Sequence, residues 1–71
     1  MMKRLRELML ENNLTYQGLS NQLKKENLNV TPDTLRKWAV GKRKPNVYSA
    51  LDIASFFNVS IDYLVGRSDK K

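Results

Sequence analysis

The residues that can do chemistry in this chain are concentrated in one stretch, VTPDTLRKWAVGKRKP, which spans Val30 to Pro45. It holds five of the thirteen basic residues and a single acidic residue. Lysine and arginine are permanent cationic donors at neutral pH, and they bind phosphate oxygens, carboxylates and other acceptors. The stretch therefore predicts an anion-binding surface, formed by a short helix that runs into a basic loop at Lys42-Arg43-Lys44.

Most residue types that catalytic sites need are missing. The chain has no histidine and no cysteine, so the commonest bases, nucleophiles and metal ligands are absent. Its seven carboxylates are scattered, and its three glycines are isolated rather than gathered in a phosphate-binding loop. We therefore expect that the protein is not an enzyme and that it uses no metal, no cofactor and no small-molecule ligand.

The net charge of +6 is unevenly distributed. Residues 1–29 carry five basic and three acidic side chains, whereas residues 46–66 carry two aspartates and no basic residue. One positive face beside a faintly acidic segment is typical of a polyanion binder. A merely soluble basic surface is the alternative that charge leaves open.

The length of 71 residues indicates one domain near the lower limit for a single core. No apolar run approaches the roughly 18 residues of a membrane span, and MMKRLREL lacks the apolar region of a signal peptide. We expect a cytoplasmic domain over residues 1–66, without membrane association, and a basic tail over residues 67–71 that frays.

Apolar-hydroxyl pairs mark three helix starts, because the hydroxyl can cap a helix and the apolar residue can pack on another five positions later. These pairs are Leu14-Thr15, Val30-Thr31 and Val59-Ser60. Pro32 falls at a first helical position, and Gly41 is a natural C-terminal glycine.

Apolar spacing predicts the remaining helices. Leu5, Leu8 and Met9 form one face of a first helix, and Asn46 can cap a fourth. The apolar residues of that fourth helix are Val47, Ala50, Leu51, Ala54 and Phe57. No strand pattern occurs. We predict an all-α, compact five-helix bundle with helices at about 2–12, 16–26, 32–40, 47–57 and 61–65.

Three motifs in order, LTYQGLSNQL, VTPDTLRKWAVGKRKP and NVSIDYLVG, resemble the helix-turn-helix domains of the phage repressor and Cro family, also called the Xre family. The resemblance covers about residues 3–66, and the chain is similar to CI-type repressors of Gram-positive temperate phages. It implies a lambda-repressor-like bundle in which the helix after Thr31 lies in the DNA major groove, while the preceding helix crosses the backbone.

The resemblance places base contacts on the outward face of that helix, since Leu35 and Trp38 should face the core. The candidate base-contacting residues are Pro32, Asp33, Thr34, Arg36 and Lys37. Arginine or lysine can bind guanine, and aspartate can accept from cytosine. Stabilisation of the helix dipole is the alternative for Asp33, and a phosphate contact is the alternative for Arg36.

Phosphate contacts are expected at Tyr16, Gln17, Thr31, Lys42, Arg43, Lys44 and Asn46. The loop cations would orient the protein and carry little sequence information, and solvated charge is the alternative. The family usually has a glutamine at the start of the second helix. Here Tyr16 occupies that position, so either its hydroxyl or Gln17 would make the contact.

The sequence departs from the family after Leu23, where KKENLN replaces what is usually a single residue. We predict a second helix lengthened by one turn that ends near Asn27, with Leu28 folded back onto the core. Lys24 and Lys25 would then lie at the rim of the binding face, either on phosphate or in solvent.

A second departure removes an ion pair. Many relatives join an arginine on the first helix to a glutamate after the tryptophan, and here these positions are Met9 and Ala39. Loss of both charges avoids a stranded buried charge. We predict that Met9 is buried against the recognition helix, near Ala39 and Trp38.

The resemblance implies a sequence-specific DNA-binding transcriptional regulator, of the kind of a phage or prophage CI- or Cro-like repressor. It would read a palindromic double-stranded operator as a homodimer, with Phe56, Tyr63 and Val65 as the candidate dimer surface. The alternatives are a protein-interaction module, such as an antitoxin or a regulator-binding partner, and a nonspecific nucleic-acid binder. An outward Asp33 argues against the last, because phosphate repels a carboxylate.

Overall fold

The computed structural model describes residues 2–71, and its regular secondary structure is helical. The five helices are α1 (Leu5–Glu11), α2 (Tyr16–Lys25), α3 (Pro32–Val40), α4 (Val47–Phe56) and α5 (Ile61–Leu64). No strand occurs within these described residues. The radius of gyration, 10.7 Å, is close to the roughly 11 Å expected for one compact domain of this length. The predicted all-α five-helix bundle is confirmed.

Each of the last four helices begins at a side-chain cap, as predicted. Oxygen atoms of Thr15, Thr31, Asn46 and Ser60 accept hydrogen bonds from backbone N–H groups three residues later, at 3.0, 3.2, 2.8 and 3.0 Å. A cap of this type stabilises a helix by about 1 kcal/mol. Gly41 ends α3 in the left-handed conformation, with φ of 84°, which costs a glycine little.

The first helix begins at Leu5 and not near residue 2, so its predicted start is wrong. The backbone N–H of Met2 bonds to the carbonyl of Trp38 at 3.3 Å, and that of Arg4 bonds to the carbonyl of Leu64 at 3.1 Å. These bonds satisfy carbonyl groups at the ends of α3 and α5. The segment before α1 is therefore held by tertiary hydrogen bonds, and Met2 is fully buried.

The lengthened second helix ends at Lys25, slightly before the predicted position. Asn27 adopts a left-handed conformation with φ of 65°, which asparagine tolerates better than most residues. The reversal lets the Leu28 N–H bond to the Leu23 carbonyl at 3.0 Å, and Leu28 packs against the core. The predicted return of Leu28 is confirmed.

One hydrophobic core joins all five helices. Its buried side chains are Met2, Leu5, Leu8, Met9, Leu19, Leu23, Leu35, Trp38, Ala50, Ile53, Ala54, Tyr63 and Leu64. The predicted burial of Met9 is confirmed, because only 4% of it is exposed. Ala39 is partly buried against the same core, and a direct contact between Met9 and Ala39 stays a prediction.

The apolar face of α4 differs from the predicted one. Val47 and Leu51 are 56% and 49% exposed, whereas Ile53 is fully buried beside Ala50 and Ala54. A helix ten residues long can direct only one stripe at its neighbours. Because Val47 and Leu51 lie at the edge of that stripe, the packing leaves them on the surface.

The tail has protein partners that were not predicted. The Arg67 N–H donates to the Asp62 carbonyl at 2.8 Å, and the Arg4 guanidinium pairs with Asp69. Residues 67–71 thus lie against the domain rather than apart from it. The ion pair is exposed on the Asp69 side, and pairs of this kind add little to stability.

Candidate nucleic-acid interface

Helices α2 and α3 pack together and form the helix-turn-helix. The buried residues of the two helices are Leu19 and Leu23 on α2 and Leu35 and Trp38 on α3. The hydroxyl of Ser20 also donates to the carbonyl oxygen of Val30 at 2.6 Å, in a half-buried position. This bond joins the middle of α2 to the residue just before the Thr31 cap, and so it helps to hold α3 at a set angle to α2.

The outward face of α3 carries the predicted charged residues. Leu35 and Trp38 are buried as expected, which leaves the side chains of Asp33, Arg36 and Lys37 about 60%, 43% and 41% exposed. These three side chains are therefore available to a ligand that lies along α3.

The Asp33 carboxylate pairs with both neighbouring cations. Its Oδ1 atom lies 3.0 Å from an Arg36 guanidinium nitrogen, and its Oδ2 atom lies 3.1 Å from the Lys37 Nζ atom. Hydrogen bonds from Arg36 and then from Lys37 lower the pKa of Asp33 below its usual value. The three residues, which we call the Asp33 cluster, therefore carry a net charge of +1 in the free protein.

The hydroxyl groups at the start of α3 are partly used by the protein. The Thr31 oxygen accepts from the Thr34 N–H at 3.2 Å, and its hydroxyl hydrogen points to the Thr34 oxygen at 2.9 Å. A phosphate contact through the Thr31 hydroxyl would thus compete with the cap. Thr34 keeps its own hydroxyl hydrogen to donate, and Pro32 is half-buried.

A concavity of about 270 Å³ lies between α2 and the start of α3. Gln17, Asn21, Lys24 and Thr31 are among the residues that line it. Tyr16 instead lines a separate apolar concavity, because its position in the first turn of α2 directs it toward α1. The geometry therefore favours Gln17 over Tyr16 as the contact from the start of α2.

The basic loop follows directly after α3. Lys42, Arg43 and Lys44 are exposed, and no ion pair involves them within residues 2–71. The N–H groups of Lys42 and Arg43 bond to the Lys37 carbonyl at 2.9 and 3.3 Å, so the loop starts as a tight turn. Asn46 uses its side-chain oxygen to cap α4 and keeps its amide N–H groups free of that bond.

The candidate dimer surface is only partly exposed. Tyr63 is a core residue that is only 6% exposed, and the Arg4 guanidinium lies 4.4 Å from the centre of its ring, so its prediction as a surface residue is wrong. Phe56 is half-buried edge-on against Phe57, and Val65 is also half-buried.

Other large apolar side chains are exposed, among them several on α4. Tyr48 is 76% exposed, and it stands on α4 beside the exposed Val47 and Leu51. Val40, at the end of α3, is 45% exposed. Helical spacing alone did not identify them, because it does not show which apolar positions a neighbouring helix covers.

Two residues gained a role only from the structure. Ser20 joins the two helices of the motif, and nothing in its sequence context distinguishes it from an ordinary polar helix residue. Lys24 lines the concavity beside α3, whereas Lys25 does not. The KKENLN insertion indicated both lysines equally.

Other site classes find no support in the part of the chain that is described. Between residues 2 and 71, no three acidic side chains come together as a metal ion would require. None of the helices formed there is long and apolar enough to cross a membrane.

Comparison with known proteins agrees with this geometry. The family model described as Helix-turn-helix (HTH_3) matches residues 5–64, which include all five helices. The chain therefore belongs to this family, a family of DNA-binding domains of the Xre type. No curated protein and no solved structure matches the chain.

Proposed function

We propose that this protein is a sequence-specific transcriptional regulator that reads bases in the DNA major groove with α3. The observation that carries the proposal is the outward face of α3, where Asp33, Arg36 and Lys37 are exposed. The family match supports the same role, because the second helix of such a motif enters the major groove.

Each exposed residue of α3 has a base atom that suits it. Arg36 and Lys37 can donate to O6 and N7 of guanine, and Asp33 can accept from N4 of cytosine. Thr34 can donate through its hydroxyl, and Pro32 can make apolar contact with a thymine methyl group. These contacts would determine which sequence is preferred.

The residues around α3 suit the phosphate backbone. The cations of the loop Lys42-Arg43-Lys44 project from the C-terminal end of α3, and Gln17 lies beside its N-terminal end. Contacts at both ends of a helix would hold it in register with the groove while they carry little sequence information. Asn46 can add a contact through its amide.

We further propose that the protein acts as a homodimer on a palindromic operator, as a repressor of the phage or prophage CI or Cro kind. One copy has a single recognition helix, α3, whereas the two half-sites of a palindrome lie about 34 Å apart on the DNA. One copy can therefore read a single half-site only. The repressor role rests on the sequence resemblance described above.

Sedimentation with and without DNA tests the dimer. The exposed Leu51 and Tyr48 offer more free apolar surface than the half-buried Phe56. We expect Leu51→Ser to weaken self-association more than Phe56→Ser does. A chain that stays monomeric both alone and on DNA would contradict the homodimer.

Selection of bound duplexes from a random DNA pool tests sequence recognition. We expect one motif to be enriched, and we expect Lys37→Ala to relax the preference at a single base pair. Lys44→Ala should weaken binding to all sequences by a similar factor. If no motif is enriched, the proposed function is wrong. The exposed apolar residues of α4 would then favour binding to a protein partner.

A further inference from the structure

We propose that Asp33 is a specificity-determining residue. Its carboxylate holds Arg36 and Lys37 away from phosphates, and it releases them only to a base pair that can also donate a hydrogen bond to that carboxylate. This inference rests on the proposed function, since it concerns the same face of α3. It assigns a role to the whole Asp33 cluster, in place of separate roles for its three members.

The cluster is organised before any DNA arrives. Its carboxylate gives one oxygen to each cation, at 3.0 Å for Arg36 and 3.1 Å for Lys37. An acidic residue three or four positions before a basic one is in the favourable orientation on a helix. Each side chain is at least two-fifths exposed, and ion pairs this exposed open easily. The cations are thus held in place but can be released.

The cluster is a poor phosphate binder for an electrostatic reason. A cation that moves from Asp33 to a phosphate exchanges one anionic partner for another. The Asp33 carboxylate then has one cationic partner fewer, and it lies close to the negatively charged DNA backbone. The loop cations Lys42, Arg43 and Lys44 pay no such cost, because no acidic group pairs with them within residues 2–71.

A G·C base pair can satisfy both partners of an ion pair that has opened. Guanine offers O6 and N7 as two adjacent acceptors for Arg36 or Lys37, and cytosine offers its N4 amino group to the Asp33 carboxylate. In an A·T pair, the purine offers only one acceptor beside a donor, so a cation cannot bind it in the same two-point manner. We therefore infer that the cluster favours G·C at the position it faces.

The test compares Asp33→Asn with Asp52→Asn as a matched control. Both variants raise the net charge by one. Asp52 is exposed on α4 and takes part in no ion pair within the described residues. Fluorescence anisotropy measures binding of each protein to the selected operator duplex and to a mixed-sequence duplex, at several salt concentrations. Circular dichroism checks that each variant is folded.

We expect Asp33→Asn to raise affinity for the mixed-sequence duplex by about two- to eight-fold at 0.1 M salt. The upper value corresponds to one additional phosphate contact, with a salt slope of about −0.9 per contact. The ratio of operator to mixed-sequence affinity should fall at least about five-fold, as for one lost base contact. Asp52→Asn should leave this ratio unchanged.

Two results would overturn the role of Asp33. The first is a mixed-sequence affinity that Asp33→Asn raises no more than Asp52→Asn does. The second is an unchanged titration midpoint in NMR. The carboxyl carbon of Asp33 should titrate at a higher pH in Arg36→Gln than in the wild type, and an equal midpoint would mean that the ion pair between Asp33 and Arg36 does not form. A wild-type chain that binds neither duplex would overturn the proposed function itself, which keeps the two failures distinguishable.

Discussion

The hydrogen bond between Ser20 and Val30 leads to a specific prediction about the helix-turn-helix. The Ser20 hydroxyl donates to the Val30 carbonyl oxygen at 2.6 Å, and the bond is half-buried between α2 and the start of α3. We predict that Ser20→Ala lowers both the free energy of unfolding and the affinity for DNA. The reason is that the Val30 carbonyl loses this donor and α3 loses one of its attachments to α2.

The size of the effect follows from two opposing terms. Loss of a hydrogen bond that leaves a buried acceptor without its partner costs about 1–3 kcal/mol. Alanine favours a helix over serine by roughly 0.5 kcal/mol, which offsets part of the loss. The net destabilisation should be about 0.5–2.5 kcal/mol. A domain of this length has a total stability of roughly 4–11 kcal/mol, so the variant should still fold.

The control is Ser55→Ala on α4. Ser55 is exposed, and its hydroxyl makes no hydrogen bond to the protein within residues 2–71. This variant therefore measures only the higher helix propensity of alanine over serine. Thermal unfolding followed by circular dichroism should show a Tm for Ser20→Ala that is lower by about 4–8 °C per kcal/mol. If Ser20→Ala and Ser55→Ala unfold at the same temperature and bind DNA equally well, the bond does not hold the motif together.

Three further predictions concern charge. The logarithm of DNA affinity should fall against the logarithm of salt concentration with a slope of about −4 to −5 per subunit, and Lys44→Ala should reduce the slope by about one; a salt-independent affinity would exclude the proposed surface. Lys24→Ala should weaken DNA binding more than Lys25→Ala in a filter-binding assay, because only Lys24 lines the concavity beside α3, and equal losses would mean that this position does not distinguish the two lysines. Met9→Arg should destabilise the fold by about 3–5 kcal/mol in urea denaturation, since it puts an unpaired charge at a buried position. Adding Ala39→Glu should recover part of that loss, and no recovery would mean that the two side chains are not neighbours.

The helix boundaries show which features can be predicted from the order of the residues. Thr15, Thr31, Asn46 and Ser60 cap their helices as predicted, because a cap depends only on a side chain and an N–H group three residues away. Gly41 ends α3 for an equally local reason. The predicted start of α1 is wrong, because the segment before this helix is held by hydrogen bonds to carbonyl groups of distant helices.

The candidate site was predictable in its position but not in its arrangement. Burial of Leu35 and Trp38 fixes the outward face of α3, so periodicity alone identified Asp33, Arg36 and Lys37 as exposed. The spacing of these residues allowed ion pairs but did not decide that one carboxylate would bind both cations. Side-chain geometry made that choice.

Local sequence therefore determined the last four helix starts, their caps, the basic loop and the outward face of α3. Tertiary packing alone decided that Gln17 rather than Tyr16 lies beside α3, that Arg4 covers Tyr63, and that Leu51 stays exposed. The physical reason is range. Caps and periodicity act within one or two helical turns, whereas burial depends on which distant helix happens to cover a residue.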